Sequence, residues 1–114
     1  MDAIATTERK DAWSIDLVGK LYAGDAAGIR ELFKKAMDGG AKHILLDCAR
    51  LDQVDSTVLS TLIAGLKLIK DGPGGKIVFV GANEHVVRLL TLTKMNQFFP
   101  IARDRAAALA LLDS

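Results

Sequence analysis

Hydrophobic and polar residues follow two rhythms along this chain of 114 residues, and together they predict strands that alternate with helices. From Trp13 the apolar and polar positions alternate, which is typical of a half-buried strand. Two short apolar runs predict buried strands, and a final short strand contains Pro100, which suits only the edge of a sheet. The predicted strands are 13–18, 43–48, 76–80 and 98–101.

Apolar residues at helical spacing predict four helices. The first follows Asp25, whose side chain we expect to cap it, and it ends at the Gly39-Gly40 pair. The second follows Asp55 and ends within the glycine-rich stretch 71–75. The last two predicted helices begin after Asn83 and at Ala106.

The remaining segments complete the predicted architecture. Gly19-Lys20 predicts a turn before a short second strand at 21–22, and residues 1–11 predict a loosely ordered lead-in. Strands that alternate with helices predict a single α/β domain over residues 1–114. We expect a mixed central sheet of about four to five strands, with helices packed mainly on one face.

Composition and charge exclude several classes of function. The chain has 15 Lys and Arg against 14 Asp and Glu, and its aromatic content is 5%. This balance argues against a nucleic-acid binder and against a polybasic membrane anchor. No apolar run approaches the ~18 residues that would cross a bilayer, so we expect no membrane insertion. A single cysteine, Cys48, fits a reducing compartment, and we expect a cytoplasmic protein.

The residue types needed for catalysis do not form a recognisable constellation. His43 and Cys48 are five positions apart in a predicted strand, so they point to opposite faces. Asp52 and Asp55 have no evident partner that would tune either for acid catalysis. The sequence therefore indicates no catalytic residue, cofactor or metal site and predicts a protein that is not an enzyme. A small enzyme is the last of the hypotheses.

The most informative segment is Asp55-Ser56-Thr57, which lies where the second helix begins after a buried strand and a short loop over 50–54. One interpretation is structural, since Asp or Ser at this position accepts hydrogen bonds from the free amides of the first turn. The other is regulatory. A phosphate is tolerated at the positive end of a helix, and it would add a charge of about −1.5 to −2 beside Asp55.

The order of elements and the segment Leu-Asp-Gln-Val-Asp-Ser-Thr-Val-Leu, residues 51–59, resemble STAS domains, particularly bacterial anti-sigma factor antagonists. The resemblance extends from about Trp13 to Leu112. Within it, 17–21 resembles the family's first hairpin and 45–47 its central strand. Residues 74–77 resemble its glycine turn, and 82–95 resemble the helix before its final strand.

This resemblance implies a phosphorylation-switched binding module. Such an antagonist sequesters an anti-sigma factor that is itself a serine kinase, and so releases a sigma factor. Phosphorylation frees the kinase, and a serine phosphatase resets the switch. By this resemblance Ser56 is the preferred acceptor, Thr57 is the alternative, and Asp55 helps to hold the acceptor and the partner contact.

One departure from the family motif affects the choice of partner. The motif usually continues with Gly-Leu-Gly, whereas this chain has Val58-Leu59-Ser60, so both glycines are replaced. Members that act as adaptor or scaffold subunits vary at these positions. A STAS subunit of a stress-signalling complex, or of a lipid-transport ABC machine, is therefore the alternative function.

The second helix has two unlike sides. Its apolar side is predicted to face the core and consists of Leu59, Leu62, Ile63, Leu66 and Ile69. Its opposite side carries mostly small, uncharged residues, namely Thr57, Ser60, Thr61 and Ala64, with Gly65 nearby and Lys67 farther along. Solvated helices normally carry charged side chains there, so this face predicts a docking surface for a partner. A surface without a role is the alternative.

Overall fold

The computed structural model describes residues 4–9, 11–71, 75–97 and 99–113. Within these ranges strands and helices alternate along most of the chain, and single helical turns lie at Ala23–Asp25 and Met95–Gln97. The strands are β1 Ile4–Arg9, β2 Ala12–Leu21, β3 His43–Val54, β4 Ile77–Val80 and β5 Ile101–Ala102. The helices are α1 Ala26–Asp38, α2 Ser56–Asp71, α3 Glu84–Leu92 and α4 Arg105–Leu112.

The strands form one mixed sheet in the order β1-β2-β3-β4-β5. β1 pairs antiparallel with β2, and every later pair is parallel. Parallel neighbours need a crossover connection, which α1 supplies between β2 and β3 and α2 supplies between β3 and β4. The predicted mixed sheet and α/β class are confirmed.

The two faces of the sheet are covered unequally. On one face, alternate strand residues such as Ile15, Leu46 and Phe79 pack with buried residues of α1, α2 and α3. On the other face, Leu45 and Val78 belong to a smaller cluster with residues of α4. This arrangement confirms that the helices pack mainly on one face, and it leaves α2 on the outer surface with its N-terminus at the end of β3.

The first two strands differ from their prediction. Residues 4–9, expected to be a loose lead-in, form an edge strand whose Ala5 faces Ile15 in the antiparallel pairing. The hairpin of the fold therefore joins β1 to β2, and it does not lie at 17–21. Gly19 makes no turn: β2 continues through it to Leu21, and its φ of 76° coincides with an irregularity in the pairing with β3. Glycine adopts this conformation at little cost, so a turn signal and a strand irregularity look alike in sequence.

β3 is twice as long as predicted, because residues 49–54 continue the strand in place of a loop. Arg50 and Gln53 are exposed, which gives the segment a polar composition. Backbone pairing with the end of β2 nevertheless continues to Val54, and Leu51 between them is 2% exposed. Leu51 is the one apolar residue of 49–53 that faces the core, and a single such residue is too weak a pattern to predict a strand from sequence.

Other boundaries shift in smaller ways. The carboxylate of Asp25 does not cap α1 and instead accepts the N–H of Tyr22 at 2.9 Å. The last strand lies at Ile101–Ala102, not at 98–101, and Phe98 lies outside the described residues. The helix-ending stretch 71–75 is described only at its two ends. The Gly39-Gly40 pair ends α1 as predicted.

The buried side of α2 is rotated from the predicted one. Leu62 and Leu66 are buried as expected, but Leu59 and Ile63 are only half-buried, and the side chain of Ile69 lies outside the description. The other buried positions of this helix are Val58, Thr61 and Gly65. α2 packs against α1 as well as against the sheet, and an added Cβ at Gly65 would lie 2.6 Å from the ring of Phe33. The contact between α1 and α2 requires a small residue at position 65. Because the prediction of the buried side of α2 used hydrophobic residues alone, it missed Gly65 and placed that side wrongly.

Candidate functional site

The start of α2 is organised by Asp55, which lies between the end of β3 and Ser56. One oxygen of its carboxylate, Oδ1, accepts the backbone N–H of Val58 at 2.8 Å, which is the usual bond of an N-terminal cap. The other oxygen, Oδ2, accepts the N–H of Ala23 at 2.8 Å. Its own N–H donates to the carbonyl of Leu21 at 3.2 Å. Asp55 therefore caps the helix and fastens it to the segment that leads into α1.

Ser56 and Thr57 occupy the first turn of α2, and both are exposed. Asp55 makes the capping bond, so the Ser56 hydroxyl is left without that structural role. The first amides of a helix have no partner within the helix, and the aligned peptide dipoles leave this end positive. The two hydroxyls thus lie on the surface, at an end of a helix that accepts added negative charge.

Polar side chains of the preceding segments surround this helix start. Tyr22 is 48% exposed, and its hydroxyl donates to Oε1 of Gln53 at 3.3 Å. Asp25 bonds to the backbone of Tyr22, next to Ala23, whose N–H donates to Asp55. The neighbourhood of Ser56 therefore carries the carboxylates of Asp25 and Asp55. A phosphate added there would strengthen a local negative potential and would change what this surface attracts.

The predicted docking face is only partly on the surface. Ser60 and Ala64 are exposed, as expected. Thr61 is 7% exposed, and its hydroxyl donates to the carbonyl of Thr57 at 2.9 Å. The assignment of Thr61 to the outer face was therefore wrong, because the rotation of α2 turns this residue toward α1. Gly65 is buried by the same rotation.

The two residues that replace the motif glycines, Val58 and Ser60, lie in different environments. Val58 is fully buried in the core cluster. Ser60 is exposed one turn beyond Ser56. Only the replacement at Ser60 therefore alters the surface that a partner could reach.

Cys48 and His43 have surroundings that suit structural roles. Cys48 is buried, and burial, with a smaller contribution from Asp47, raises the pKa of its thiol to about 12. Such a thiol stays protonated and unreactive near neutral pH. Nδ1 of His43 accepts the backbone N–H of Lys76 at 2.9 Å, and its Nε2 lies 3.7 Å from Asp11. Over the ranges that the structure describes, no three His, Cys, Asp or Glu residues are grouped closely enough to hold a metal ion.

Sequence reasoning missed a charged cluster on the opposite face of the sheet. Nη2 of Arg105 donates to Asp16 at 2.6 Å, and its Nε donates to Asp47 at 3.0 Å. Arg50 lies 3.5 Å from the second oxygen of Asp16. The polar alternation of β2 pointed to Asp16, but the partners come from β3 and α4, and their proximity depends on the fold. The cluster ties α4 to β2 and β3.

The described helices include none with the length and apolar character required to span a membrane.

Comparison with known proteins agrees with this architecture. The family model of the STAS domain matches residues 3–108. This chain belongs to the STAS domain family. The resemblance inferred from 51–59 and from the order of elements is thereby confirmed.

The STAS chain is similar to several proteins named as anti-sigma factor antagonists. It is 26% identical over 94 residues to BtrV of Bordetella bronchiseptica, named as a candidate anti-sigma factor antagonist, with 82% of this chain and 80% of that protein covered. A candidate antagonist of Thermotoga maritima has a crystal structure with a TM-score of 0.87 at 22% identity, covering 98% of this chain and 95% of that one.

SpoIIAA provides a further comparison in two states. Its unphosphorylated form, an anti-sigma factor antagonist, has a TM-score of 0.71 at 19% identity, covering 96% of this chain and 94% of that one. Its phosphorylated form from Bacillus has a TM-score of 0.77 at 14% identity, covering 96% and 98%. At these identities the structural likeness establishes the shared fold.

Proposed function

We propose that this STAS protein is an anti-sigma factor antagonist that is switched by phosphorylation of Ser56. In its unmodified form it binds an anti-sigma factor with serine kinase activity, in the cytoplasm, and so releases a sigma factor. The observation that carries the proposal is that two adjacent residues at the start of α2 have different roles. Asp55 makes the structural hydrogen bonds, and the adjacent Ser56 presents an exposed hydroxyl.

Because Asp55 and not Ser56 caps the helix, a phosphate on Ser56 could switch binding without unfolding the domain. The Asp55 cap does not involve the Ser56 side chain, so modification leaves the start of the helix intact. A phosphate adds a charge of about −1.5 to −2 directly beside Asp55, at a surface that also carries Asp25. A partner fitted to the unmodified surface would lose affinity through charge repulsion and bulk. A serine phosphatase would restore the binding form.

Thr57 is the alternative acceptor, since it is also exposed in the first turn. Exposure does not separate the two hydroxyls, so the preference for Ser56 rests on the family motif. The proposed contact surface comprises Ser56, Thr57, Ser60 and Ala64, with Asp55 holding the helix start in place. Thr61 supports this surface from beneath through its bond to the Thr57 carbonyl.

Similarity to proteins named as antagonists supports this function over that of an adaptor subunit. The motif departure at Val58 is confined to the core, so the partner surface differs from the family pattern at Ser60 alone. Co-purification separates the two functions. A kinase-like ATPase partner supports the antagonist, whereas a transporter ATPase or a large stress-signalling complex supports the adaptor.

The acceptor can be tested by mapping phosphosites on the protein isolated from its own cells. We expect a single phosphate on Ser56, which Ser56→Ala removes. Thr91→Ala is the control, because Thr91 carries an exposed hydroxyl on α3, outside the proposed contact surface, and it should leave the modification unchanged. Label on Thr57 in the wild type would reassign the hydroxyl. Label that persists in the double variant Ser56→Ala, Thr57→Val would refute the proposed switch.

A further inference from the structure

A groove runs between α1 and α2 on the outer surface of the domain. It encloses about 320 Å³, which falls at the lower end of the ~300–1,000 Å³ typical of small-ligand sites. Its floor is formed by Phe33, Thr61 and Gly65, and Leu68 on its rim is 59% exposed. The absence of a side chain at Gly65 lets the ring of Phe33 approach α2 closely.

The floor of the groove offers no strong polar group to a ligand. The hydroxyl of Thr61 is engaged by the Thr57 carbonyl at 2.9 Å, which leaves its methyl group for apolar contact. Phe33 and Gly65 contribute only ring and backbone atoms, and Ala64 and Met37 extend the apolar wall. A ligand lying on this floor would therefore be apolar over most of its length.

The charges at the rim are distributed along the groove. α1 and α2 are parallel, because each connects two neighbouring parallel strands in the same way. Arg30 lies nearest the start of α2, Lys34 lies one turn farther along α1, and Asp38 lies one more turn along, at the end that Leu68 lines. Arg30 and Lys34 form no ion pair with any other residue that the structure describes. The groove is thus positive over the two turns of α1 that carry Arg30 and Lys34, negative at Asp38, and apolar along its floor.

We propose that this groove binds a single-chain anionic amphiphile, of which a medium-chain fatty carboxylate is the simplest example. Its carboxylate would pair with Arg30 and Lys34, and its chain would lie over Phe33 toward Leu68. From Arg30 to Asp38 the groove spans ~12 Å of helix, about the length of an extended chain of eight to ten carbons. Asp38 disfavours a second negative group at the tail. The proposal does not depend on the proposed regulatory function.

The test uses the full chain without any partner and follows its backbone amide NMR signals during titration with sodium decanoate. We expect saturable shifts concentrated on the residues that line the groove. Decyltrimethylammonium, with the same chain and opposite charge, should bind at least about tenfold more weakly, because it meets the cations of the rim. Titrations stay below the micellar concentration of each probe, so that shifts report single molecules.

Two pairs of variants locate the site. Lys34→Glu should raise the dissociation constant of decanoate at least about fivefold, whereas Lys35→Glu, the neighbouring charge outside the groove, should change it less than about twofold. Ala64→Leu places a larger side chain in the groove and should raise the constant at least about tenfold. Ala110→Leu makes the same change at an exposed position of α4 and should have no effect.

Four results would overturn the proposal. These are the absence of saturable binding, shifts centred outside the groove, equal binding of the cationic probe, and equal effects of Lys34→Glu and Lys35→Glu. If decanoate fails to bind but Ala64→Leu weakens binding of an anti-sigma factor, the groove is a protein-docking surface and the ligand proposal is wrong. That result would leave the proposed function standing, whereas loss of the Ser56 switch would leave the ligand site untouched.

Discussion

The backbone N–H of Ala23 donates to Oδ2 of Asp55 at 2.8 Å, across a separation of 32 positions in the chain. Since the other oxygen of the same carboxylate caps α2 through Val58, one side chain both starts this helix and joins it to the segment before α1. The role of Asp55 in the Asp55-Ser56 pair is therefore structural. Ser56 takes no part in the Asp55 cap, so its exposed hydroxyl is available for the proposed phosphorylation.

Replacing Asp55 should consequently destabilise the domain far more than replacing Ser56. We expect Asp55→Ala to lower the free energy of unfolding by about 2–3 kcal/mol, since it removes a cap and a second charge-assisted hydrogen bond. Ser56→Ala should lower it by less than about 0.5 kcal/mol, as is usual for surface substitutions. Urea unfolding measures both.

Asp104→Ala is the control for the loss of a simple cap. Asp104 caps α4 by accepting the N–H of Ala107 at 2.8 Å, so its replacement should cost only about 1 kcal/mol. Equal losses for Asp55→Ala and Asp104→Ala would show that the bond to Ala23 contributes nothing. A large loss for Ser56→Ala would assign Ser56 a structural role and weaken the proposed switch.

The contact between α1 and α2 depends on the missing side chain of Gly65. A Cβ there would lie 2.6 Å from the ring of Phe33, so Gly65→Ala must push the helices apart or displace the ring. We expect a net loss of about 1–2 kcal/mol of unfolding free energy, although alanine is the better helix former. At Gly24 an added Cβ meets nothing within 4 Å, and Gly24→Ala should be neutral or slightly stabilising. Gain of stability from Gly65→Ala would contradict the close packing in urea unfolding.

The same glycine shows which parts of the fold were readable from sequence. Periodicity predicted the α/β alternation and the sites where α2 and α3 begin, because aspartate and asparagine caps act locally. The buried side of α2 could not be read in this way. Gly65 and Thr61 are buried by contact with α1, and this contact is made between segments that are far apart in the chain.

In the candidate site too, features set by the local sequence were predictable, and features set by contacts between distant segments were not. Its position at the start of α2 and its hydroxyl residues were predictable from the Asp-Ser-Thr segment and its neighbours. The second bond of Asp55, which assigns the structural task to it alone, depends on Ala23 being brought beside β3. Likewise the groove requires Arg30 and Lys34 to face α2, and no local pattern indicates that arrangement.

The burial of the Cys48 thiol predicts a loss of folding stability at alkaline pH. Burial and Asp47 raise its pKa from 9.0 to about 12, so between these values the thiol ionises in the unfolded chain but not in the folded protein. Ionisation favours the unfolded state, so the thiol's contribution to stability is complete below pH 9 and is lost as the pH rises toward 12. At about pH 10.5 the loss should be roughly 2 kcal/mol.

Comparing urea unfolding of the wild type and Cys48→Ala at pH 8 and at pH 10.5 isolates this contribution, since the two proteins differ only at position 48. We expect the wild type to lose more stability than Cys48→Ala over this interval. The native thiol should also resist iodoacetamide at pH 8 and react after unfolding. Parallel pH profiles, or rapid alkylation of the folded protein, would contradict the buried environment of Cys48.

Binding to the anti-sigma factor should be weakened in two physically different ways by changes on α2. Ala64→Arg places a long charged side chain on an exposed position of the proposed contact surface, and we expect it to cost several kcal/mol of binding by obstruction. Ser56→Asp should weaken binding less, because one carboxylate only partly imitates a phosphate. Raising the salt concentration should relieve the effect of Ser56→Asp, which acts through charge, more than that of Ala64→Arg.

Ala110→Arg, on α4 across the sheet, is the matched control and should leave the affinity unchanged. Isothermal titration would measure all three, and wild-type affinity for Ala64→Arg would move the contact surface away from this part of α2.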